Sequence, residues 1–379
     1  MSVEVVDRAT VGTLLALRDV VRLHQYDTVC QVHCYELAPR WLDASLRETL
    51  PRAPEPTQAL LKLLYFEEPI ERRRAERVLG VELLAGLQRI GVLVDGSTPD
   101  TVASRYRLDV LSDTLLLVQN RQLSATGVYF GEDSQFLRSQ LWPRRGDVCL
   151  DLCTGSGVQG LRCASLAERV DVVDKNPDAA RLAGMNAALN GLGDRVVAYR
   201  GDLWEPLPEQ AVYDHVTCNP PLMPVPESVA FPLFGHGGAD GLDVVRRIVD
   251  ALPQRLSSRG RLTLIGACTG DARTPAIVPA LEACAATMDV VVFLLLRMPL
   301  RDWVRLIADT VVAMYPGASA AQTITACRTR YGAAFEETFV STYLLKVEQG
   351  GAAPGCRVYD YSTVGQKSYW FVNRGRVAH

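Results

Sequence analysis

The sequence predicts an α/β fold, in which a mostly parallel β-sheet is covered by helices. Short apolar runs typical of buried strands alternate with Ala- and Leu-rich helical segments from residue 147 to a last strand near 340–347. This alternation predicts a sheet of seven strands. A glycine-rich turn follows the first strand, and an acidic side chain lies at or just beyond the end of each of the first three. Because open parallel sheets bind ligands at the carboxyl ends of their strands, we expect the binding site at that edge.

The first 125 residues are predicted to form a separate unit. Pro54-Glu55-Pro56 divides an opening helical stretch from a second module. The module has predicted helices near 57–66, 70–79 and 81–90, and then strands near 103–111 and 114–119. This order resembles a winged helix. We therefore predict an N-terminal helical and winged-helix-like domain at residues 1–125 and a second domain at residues 126–379.

The glycine-rich turn runs from Asp151 to Gly157, between a predicted strand and a helix. Glycines let the backbone approach a ligand closely, because no Cβ stands in the way. Gly155, Gly157 and Gly160 also spell G-x-G-x-x-G, the fingerprint of dinucleotide sites. The carboxylate of Asp151 would repel a pyrophosphate, whereas it could pair with the ammonium group of S-adenosylmethionine, directly or through water. A methyl donor is therefore favoured, and a dehydrogenase is the alternative.

Two further acids follow the next two strands. Asp174 ends the strand at 170–173, and its carboxylate can accept hydrogen bonds from both hydroxyls of a ribose. Asp202 follows the strand at 196–199, where it could accept a hydrogen bond from an adenine amino group, while the apolar side chain of Leu203 could cover the ring. The two positions predict an adenosine site at the carboxyl edge of the sheet.

The fourth strand, at 215–218, ends in Asn219-Pro220-Pro221-Leu222. The side-chain oxygen of Asn219 and the carbonyl of Pro220 can each accept one N–H of an acceptor NH₂ group, which orients the nitrogen lone pair. Neither proline adds an N–H donor that would compete, and both have a restricted φ angle. The segment therefore predicts a rigid site for an acceptor nitrogen.

These motifs, together with the segment from Gly237 to Asp243, resemble the Asn-Pro-Pro group of class I S-adenosylmethionine-dependent methyltransferases, especially release-factor glutamine methyltransferases and small-domain rRNA guanine methyltransferases. The resemblance extends from about Thr126 to Thr269. It implies a Rossmann-like sheet, S-adenosylmethionine as cofactor and methylation of a nitrogen. The catalytic segment that it implies is Asn219, Pro220, Pro221 and Leu222. The cofactor contacts that we predict are Asp151, Cys153, Thr154, Gly155, Gly157, Asp174, Asp202, Leu203 and Asn219.

Leu222 departs from the family pattern, because the glutamine and adenine enzymes usually have Tyr or Phe there. An aromatic ring stacks on a flat amide or base, and leucine lacks that planar face. Leu222, together with the two accessory regions, at residues 1–125 and 300–337, therefore predicts a small-molecule or peptidic biosynthetic acceptor. The alternatives are a protein glutamine or an rRNA base. Other chemistry on the sulfonium, or a DNA-binding regulator that senses the cofactor, are further alternatives.

Two loops and one insertion are predicted to surround the acceptor. Tyr129 and Phe130 lie in the segment 125–136, where they could cover the cofactor or pack between domains. Phe231 and His236 lie in or beside a second loop, at 225–234, which we expect to close over the acceptor. The helical segment 300–337 is longer than a sheet connection requires, so we predict that it caps the acceptor pocket or contacts a partner.

The composition disfavours a nucleic-acid partner, because the net charge is −3 over 379 residues. The arginines at 72–77 have glutamates among them, as on a solvated helix face. The chain has ten cysteines and no apolar run long enough to span a membrane, so we expect a cytoplasmic protein without a membrane segment. His24, Cys30, His33 and Cys34 lack paired zinc-ligand spacing, and no metal is expected. The weak net charge favours a homodimer contact, or one wall of the substrate pocket, as the role of the N-terminal unit.

Overall fold

The computed structural model describes residues 2–33, 39–119, 126–351 and 353–362. Its strands are β1 (Ser2–Glu4), β2 (Ile70–Glu71), β3 (Leu93–Asp95), β4 (Thr101–Ser104), β5 (Tyr106–Leu111), β6 (Thr114–Gln119), β7 (Val148–Leu152), β8 (Arg169–Asp174), β9 (Val196–Arg200), β10 (Tyr213–Cys218), β11 (Leu256–Gly270), β12 (Asp289–Pro299), β13 (Phe339–Glu348) and β14 (Gly355–Asp360). Its helices are α1 (Arg8–Leu23), α2 (Tyr26–His33), α3 (Pro39–Thr49), α4 (Glu55–Leu60), α5 (Arg72–Leu79), α6 (Val81–Arg89), α7 (Glu132–Ser139), α8 (Val158–Ala164), α9 (Pro177–Leu189), α10 (Asp243–Arg255), α11 (Ile277–Ala280), α12 (Glu282–Ala285), α13 (Leu300–Met314) and α14 (Ala320–Tyr331).

A mixed sheet forms the centre of the molecule, with strand order β1-β9-β8-β7-β10-β11-β13-β12-β14. The strands from β9 to β11 in this order are parallel, and β13 runs antiparallel between β11 and β12. The predicted seven strands, β7 to β13, are all present, which confirms the Rossmann-like α/β fold. The edge strands β1 and β14 extend the sheet beyond that prediction. The strand order reverses beside β7, so the carboxyl ends of β7, β8 and β10 form the expected ligand crevice.

Helices cover both faces of the sheet, because its central strands carry apolar side chains on both faces. On one face, α7, α8 and α9 pack on a buried cluster that includes Val170 and Val172 of β8. On the other face, α10, α11 and α12 pack on a cluster that includes Leu150 of β7 and Val216 of β10. The two layers hold the strand ends, and the loops that follow them, in fixed positions.

The N-terminal region contains a three-stranded sheet, β2-β4-β3, beside α5 and α6. The single strand predicted at 103–111 is wrong, because β4 ends at Ser104 and β5 begins at Tyr106. The Ser104 hydroxyl bonds the carbonyl of Tyr106 at 2.5 Å, and the backbone N–H of Arg105 turns to the carbonyl of Val92. The strand β5 pairs with β6 in a separate hairpin. The resemblance to a winged helix stays a prediction.

This region packs closely on the large α/β part of the chain. Leu14 and Leu17 of α1 belong to the same buried cluster as Leu182 and Met185 of α9. Asn186 of α9, which is fully buried, accepts a hydrogen bond from the N–H of Leu117 in β6 and donates one to the carbonyl of the same residue. The two-domain division stays a prediction, and its boundary at residue 125 lies outside the described residues.

The predicted insertion forms α13, α14 and a short 3₁₀ turn at Gly332–Glu336, between β12 and β13. Trp303 and Val304 of α13 are buried in one apolar cluster with Leu222, Val225 and Val229. The insertion therefore covers the segment that follows β10. Among the helices in the described part of the chain, none combines the length and the apolarity that a bilayer crossing requires.

Candidate active site

The glycine-rich loop joins β7 to α8 and has three residues with left-handed backbone, Cys153, Gly155 and Gly157. A Cβ on Gly157 would lie 3.0 Å from the Cα of Ala183 in α9, and a Cβ on Gly155 would lie 3.3 Å from the backbone oxygen of Tyr129. The loop therefore packs between α9 and the backbone at Tyr129. A larger residue at Gly155 or Gly157 would push the loop away from these neighbours or strain the backbone.

Asp151, at the end of β7, holds the loop in shape. Its Oδ2 atom accepts hydrogen bonds from the Thr154 hydroxyl at 2.5 Å and from the Gly160 N–H at 2.9 Å. Its Oδ1 atom is buried and has no hydrogen-bond partner among the described residues. Burial raises the pKa of this carboxyl to about 7. One oxygen of Asp151 therefore shapes the loop, and the other remains available for the predicted cofactor contact.

The raised pKa predicts a specific dependence of stability on pH. Folding raises the pKa of Asp151 from its ordinary value of 3.8 to about 7, so the folded protein binds this proton more tightly than the unfolded chain. The stability contributed by the proton is present below about pH 4 and is lost as pH rises to about 7. Asp151→Asn cannot titrate. We expect the unfolding temperature of wild type, relative to this variant, to fall across that window and then level off. Thermal unfolding of both cofactor-free proteins measures this, and a pH-independent difference would contradict the assignment.

Asp174 lies directly beside the loop at the end of β8. Its Oδ2 atom accepts a hydrogen bond from the Gly155 N–H at 2.9 Å, and its Oδ1 atom accepts one from the Asn176 N–H at 2.8 Å. Each carboxylate oxygen can accept a second hydrogen bond, and burial raises the pKa of the group. Asp174 is therefore well placed for the predicted ribose contact.

Asp202 and Leu203, unlike Asp174, have side chains that are already engaged by other parts of the protein. Asp202 forms ion pairs with Lys175 at 3.6 Å and with Arg247 at 3.2 Å. Leu203 is buried in the apolar cluster under α10, with Tyr199 as a neighbour in that cluster. Both predicted adenine contacts already have partners within the protein, so the adenine role of this pair stays a prediction.

Asn219 follows β10 directly, and the pairing of Cys218 with Leu152 places it beside the start of the glycine-rich loop. Its Nδ2 atom donates hydrogen bonds to Asp133 Oδ2 at 3.0 Å and to Ser134 Oγ at 3.2 Å. Its Oδ1 atom is buried and has no partner among the described residues. The amide therefore has its donor side engaged and its acceptor side open.

Asp133 and Ser134, which the sequence reasoning did not single out, are buried at the start of α7. A short acidic and hydroxyl pair at a helix start is usually a cap, so the pattern did not mark them. Tyr129 donates its hydroxyl proton to Asp133 Oδ1 at 2.8 Å, and its ring stacks on Phe234 with centroids 5.2 Å apart. Tyr129 thus connects the glycine-rich loop to the segment after Asn219.

The remaining predicted acceptor residues shape the loops. Phe130 packs on the apolar cluster of α7 and α8. A Cβ on Gly235 would lie only 2.6 Å from the ring of Phe231, so the ring packs against this glycine. His236 accepts a hydrogen bond at Nδ1 from the backbone of Gly238 at 3.3 Å. None of these three contacts points to an acceptor role, which stays a prediction.

The segment Pro220-Pro221-Leu222 is held in place by contacts with Gly237 and with the helical insertion. Pro220 is buried and Pro221 half-buried, and a Cβ on Gly237 would lie 2.8 Å from the Pro221 carbonyl oxygen, so this approach requires glycine. Leu222 is 7% exposed and packs with Trp303 of the insertion. Its side chain belongs to the core, and the stacked rings of Tyr129 and Phe234 provide the aromatic surface at this side of the loop instead.

The chain also has a buried group of possible metal ligands. Cys149, Cys163 and His215 place their ligand atoms within 4.8 Å of one another, and all three side chains are buried. Cys149 lies on β7, Cys163 on α8 and His215 on β10, and none of the three makes a hydrogen bond described above for Asp151, Asp174 or Asn219. The sequence predicts no zinc site at His24, Cys30, His33 and Cys34, and of these four residues Cys34 lies outside the described part of the chain. The expectation that the protein uses no metal stays a prediction.

Residues 121–289 match the family described as Methyltransferase small domain. Over 133 residues, the chain is 42% identical to a ribosomal protein uL3 glutamine methyltransferase of Bordetella pertussis, which covers 32% of this chain and 44% of that protein. It is 33% identical to a release factor glutamine methyltransferase of Thermosynechococcus vestitus, covering 32% of this chain and 45% of the relative. The chain thus spans less than half the length of these curated relatives.

Among solved structures, Trm5b from Pyrococcus abyssi is similar at 14% identity and a TM-score of 0.38, covering 67% of this chain and 61% of that chain. A likeness of this size supports no inference about activity. The sequence matches confirm the predicted resemblance to methyltransferases of this group, and they agree with S-adenosylmethionine as the predicted cofactor.

The matches also correct one prediction. A small-molecule or peptidic biosynthetic acceptor is wrong, because the curated relatives are glutamine methyltransferases of a ribosomal protein and of a release factor. The prediction depended on the two accessory regions, at residues 1–125 and 300–337, and on Leu222 as a residue that faces the acceptor. The structure gives the physical reason for the error, since Leu222 packs in the core and its lack of a ring says little about the acceptor.

Proposed function

We propose that this protein transfers a methyl group from S-adenosylmethionine to the side-chain amide nitrogen of a glutamine in a protein substrate. The observation that carries the proposal is the state of Asn219. Its Nδ2 atom is engaged by Asp133 and Ser134, and its Oδ1 atom is buried without a partner among the described residues. A buried unpaired acceptor is costly, so it is best explained by a ligand that donates a hydrogen bond to it.

The cofactor fits the residues around the glycine-rich loop. Gly155 and Gly157 keep the backbone open to close approach, the two oxygens of Asp174 have acceptor capacity for ribose hydroxyls, and Asp151 Oδ1 is an unpaired acceptor for the ammonium group. Asp174 would hold the adenosine end of the cofactor on one side of the loop, and Asp151 would hold its methionine end on the other. Asn219 lies beside the same loop, at the end of the neighbouring strand.

When bound, S-adenosylmethionine would supply an electrophilic methyl group on a cationic sulfur and would leave as a neutral thioether, while the proton lost from the amide nitrogen would pass to water. The residues of the chain hold and orient the amide. Asn219 Oδ1 and the Pro220 carbonyl would each accept one of its N–H bonds, which fixes the plane of the NH₂ group. Such positioning supplies much of the rate enhancement in displacement reactions.

The surroundings of Asn219 favour a neutral amide over a carboxylate. Three acidic side chains, Asp133, Asp151 and Asp174, lie around Asn219 and the glycine-rich loop, and burial raises the pKa of all three. A glutamate carboxylate would add a further buried negative charge and offer no N–H donor to Asn219. The flat amide group also suits the stacked rings of Tyr129 and Phe234.

A labelled methyl donor tests this proposal. The protein is incubated with S-adenosylmethionine carrying a labelled methyl group and with whole ribosomes and release factors; one portion is then treated with nuclease, and the labelled protein of another is hydrolysed in acid. Methylated glutamine releases labelled methylamine, since its amide bond is cleaved. We expect the label in methylamine. Label that stays with lysine or arginine, or that a nuclease removes, would contradict a glutamine acceptor and, in the second case, indicate an rRNA base.

A further inference from the structure

The amide of Asn219 can face an acceptor with its oxygen or with its nitrogen, and only the oxygen can receive an N–H. The neighbours of the amide decide between the two. We propose that Asp133 is a positioning residue that holds the Asn219 amide with Oδ1 toward the acceptor. The inference rests on the proposed function, and it adds a residue that neither the Asn-Pro-Pro motif nor the glycine-rich loop contains.

The chemistry of the two contacts to Nδ2 supports this role. The carboxylate of Asp133, 3.0 Å away, can only accept a hydrogen bond, so it requires an N–H donor at that position. The hydroxyl of Ser134, 3.2 Å away, can donate or accept and is compatible with either orientation of the amide. Of the two neighbours, Asp133 alone discriminates between the two orientations.

Asp133 is itself held in place. Tyr129 donates its hydroxyl proton to the other carboxylate oxygen at 2.8 Å, and the carboxyl group is buried at the start of α7. Burial raises the pKa of Asp133, while the hydrogen bonds from Asn219 and Tyr129 oppose that rise. Hydrogen bonds thus link Tyr129 to Asp133 and Asp133 to Asn219. The position of Tyr129 beside the glycine-rich loop therefore affects the orientation of the Asn219 amide.

Four variants test the inference: Asp133→Asn, Ser134→Ala, Asn219→Asp and the double exchange Asp133→Asn with Asn219→Asp. An asparagine side chain at position 133 can present an NH₂ group to a flipped amide, so we expect kcat to fall about 10- to 100-fold, with the Kd of S-adenosylmethionine unchanged. Ser134→Ala should lower kcat only a few-fold. Asn219→Asp alone places two carboxyl groups together and should also lose activity.

The double exchange is the decisive variant, because it exchanges the two roles: the side chain at position 133 becomes the hydrogen-bond donor and the side chain at position 219 becomes the acceptor. The new amide at position 133 would donate to one oxygen of the new carboxylate at position 219 and leave the other oxygen toward the substrate. We expect kcat to recover at least about tenfold over either single variant, the size of one charge-assisted hydrogen bond. A purely structural role predicts additive losses, so a double variant no better than the singles would overturn the inference, as would normal kcat in Asp133→Asn.

A second readout separates this inference from the proposed function. In protein labelled with ¹⁵N at asparagine, the side-chain NH₂ signal of Asn219 is identified by its loss in Asn219→Asp. We expect this signal to shift and its hydrogens to exchange faster in Asp133→Asn, with a smaller change in Ser134→Ala. If wild type methylates no glutamine, the proposed function fails, and the spectrum still decides the inference: an unchanged signal in Asp133→Asn overturns it.

Discussion

Asn219→Ala is expected to lower kcat for methyl transfer by about 100-fold or more, while the Kd of S-adenosylmethionine stays within about threefold of wild type. The variant removes the buried, unpaired side-chain acceptor that follows β10, and it leaves the contacts of the glycine-rich loop intact. The acceptor amide then loses a hydrogen bond that fixes its plane. Single-turnover kinetics with a protein acceptor, combined with calorimetric titration of the cofactor, measures the two quantities.

Asn190→Ala is a suitable control for this variant. Asn190 also makes several side-chain hydrogen bonds, but they join α9 to Leu115 of the β5–β6 hairpin, away from the acceptor segment. It should reduce stability without a selective loss of kcat. If Asn219→Ala turned over normally, or weakened the cofactor as strongly as it reduced kcat, the proposed orientation of the acceptor by Asn219 would be wrong.

The second large effect is expected at the cofactor. Asp174→Ala should weaken S-adenosylmethionine by about 1–3 kcal/mol, or about 5- to 150-fold in Kd, because two charge-assisted hydrogen bonds to the ribose are lost. The change also frees the N–H of Gly155, which Asp174 holds in the loop. Titration of the cofactor and of S-adenosylhomocysteine into each variant measures the loss, which should be similar for both ligands.

Asp202→Ala provides the matched comparison, since both acids follow adjacent strands of the sheet. Asp202 is already paired with Lys175 and Arg247, and exposed or half-exposed ion pairs contribute little. Its removal should change Kd less than about threefold. A larger loss in Asp202→Ala than in Asp174→Ala would reverse the assignment and make Asp202 the main adenosine contact.

The central strands of the large sheet could be predicted from the sequence because periodicity is a local property. Each buried strand from β7 to β11 is an apolar run that ends in a polar or glycine-rich turn, and the order of these turns predicts the carboxyl edge of the sheet. The edge strand β1 could not be predicted in this way. It has three residues, and its pairing with β9 joins positions almost two hundred residues apart, which no local pattern records.

The candidate site was only partly predictable for a similar reason. Asp174 and Asn219 follow strands directly, so their position in the fold follows from the strands. The roles of Asp133 and Phe234 depend on loops that meet across the site, with contacts to Asn219 and Tyr129 that are distant in sequence. Leu222 shows the opposite error, since a residue inside a motif was expected to face the acceptor and packs against the insertion.

The winged-helix-like character of the N-terminal region, a homodimer and a cytoplasmic location are among the sequence predictions that remain predictions. The first concerns the fold of the described residues, and the other two depend on partners or surroundings outside a single chain. The packing of α1 and the β5–β6 hairpin on α9 does bear on the first of these. It favours an N-terminal region that supports the cofactor-binding half of the sheet, whatever else it contacts.

The most direct test of the central claim is a mass spectrum of peptides from purified uL3 and release factor after reaction with the wild-type protein and S-adenosylmethionine. We expect the added mass of one methylene group on a glutamine side chain, formed by wild type and formed more slowly, by about 100-fold or more, by Asn219→Ala. Methylation of neither protein by an enzyme that binds the cofactor, or a methyl group on any residue other than glutamine, would contradict the proposed glutamine methylation.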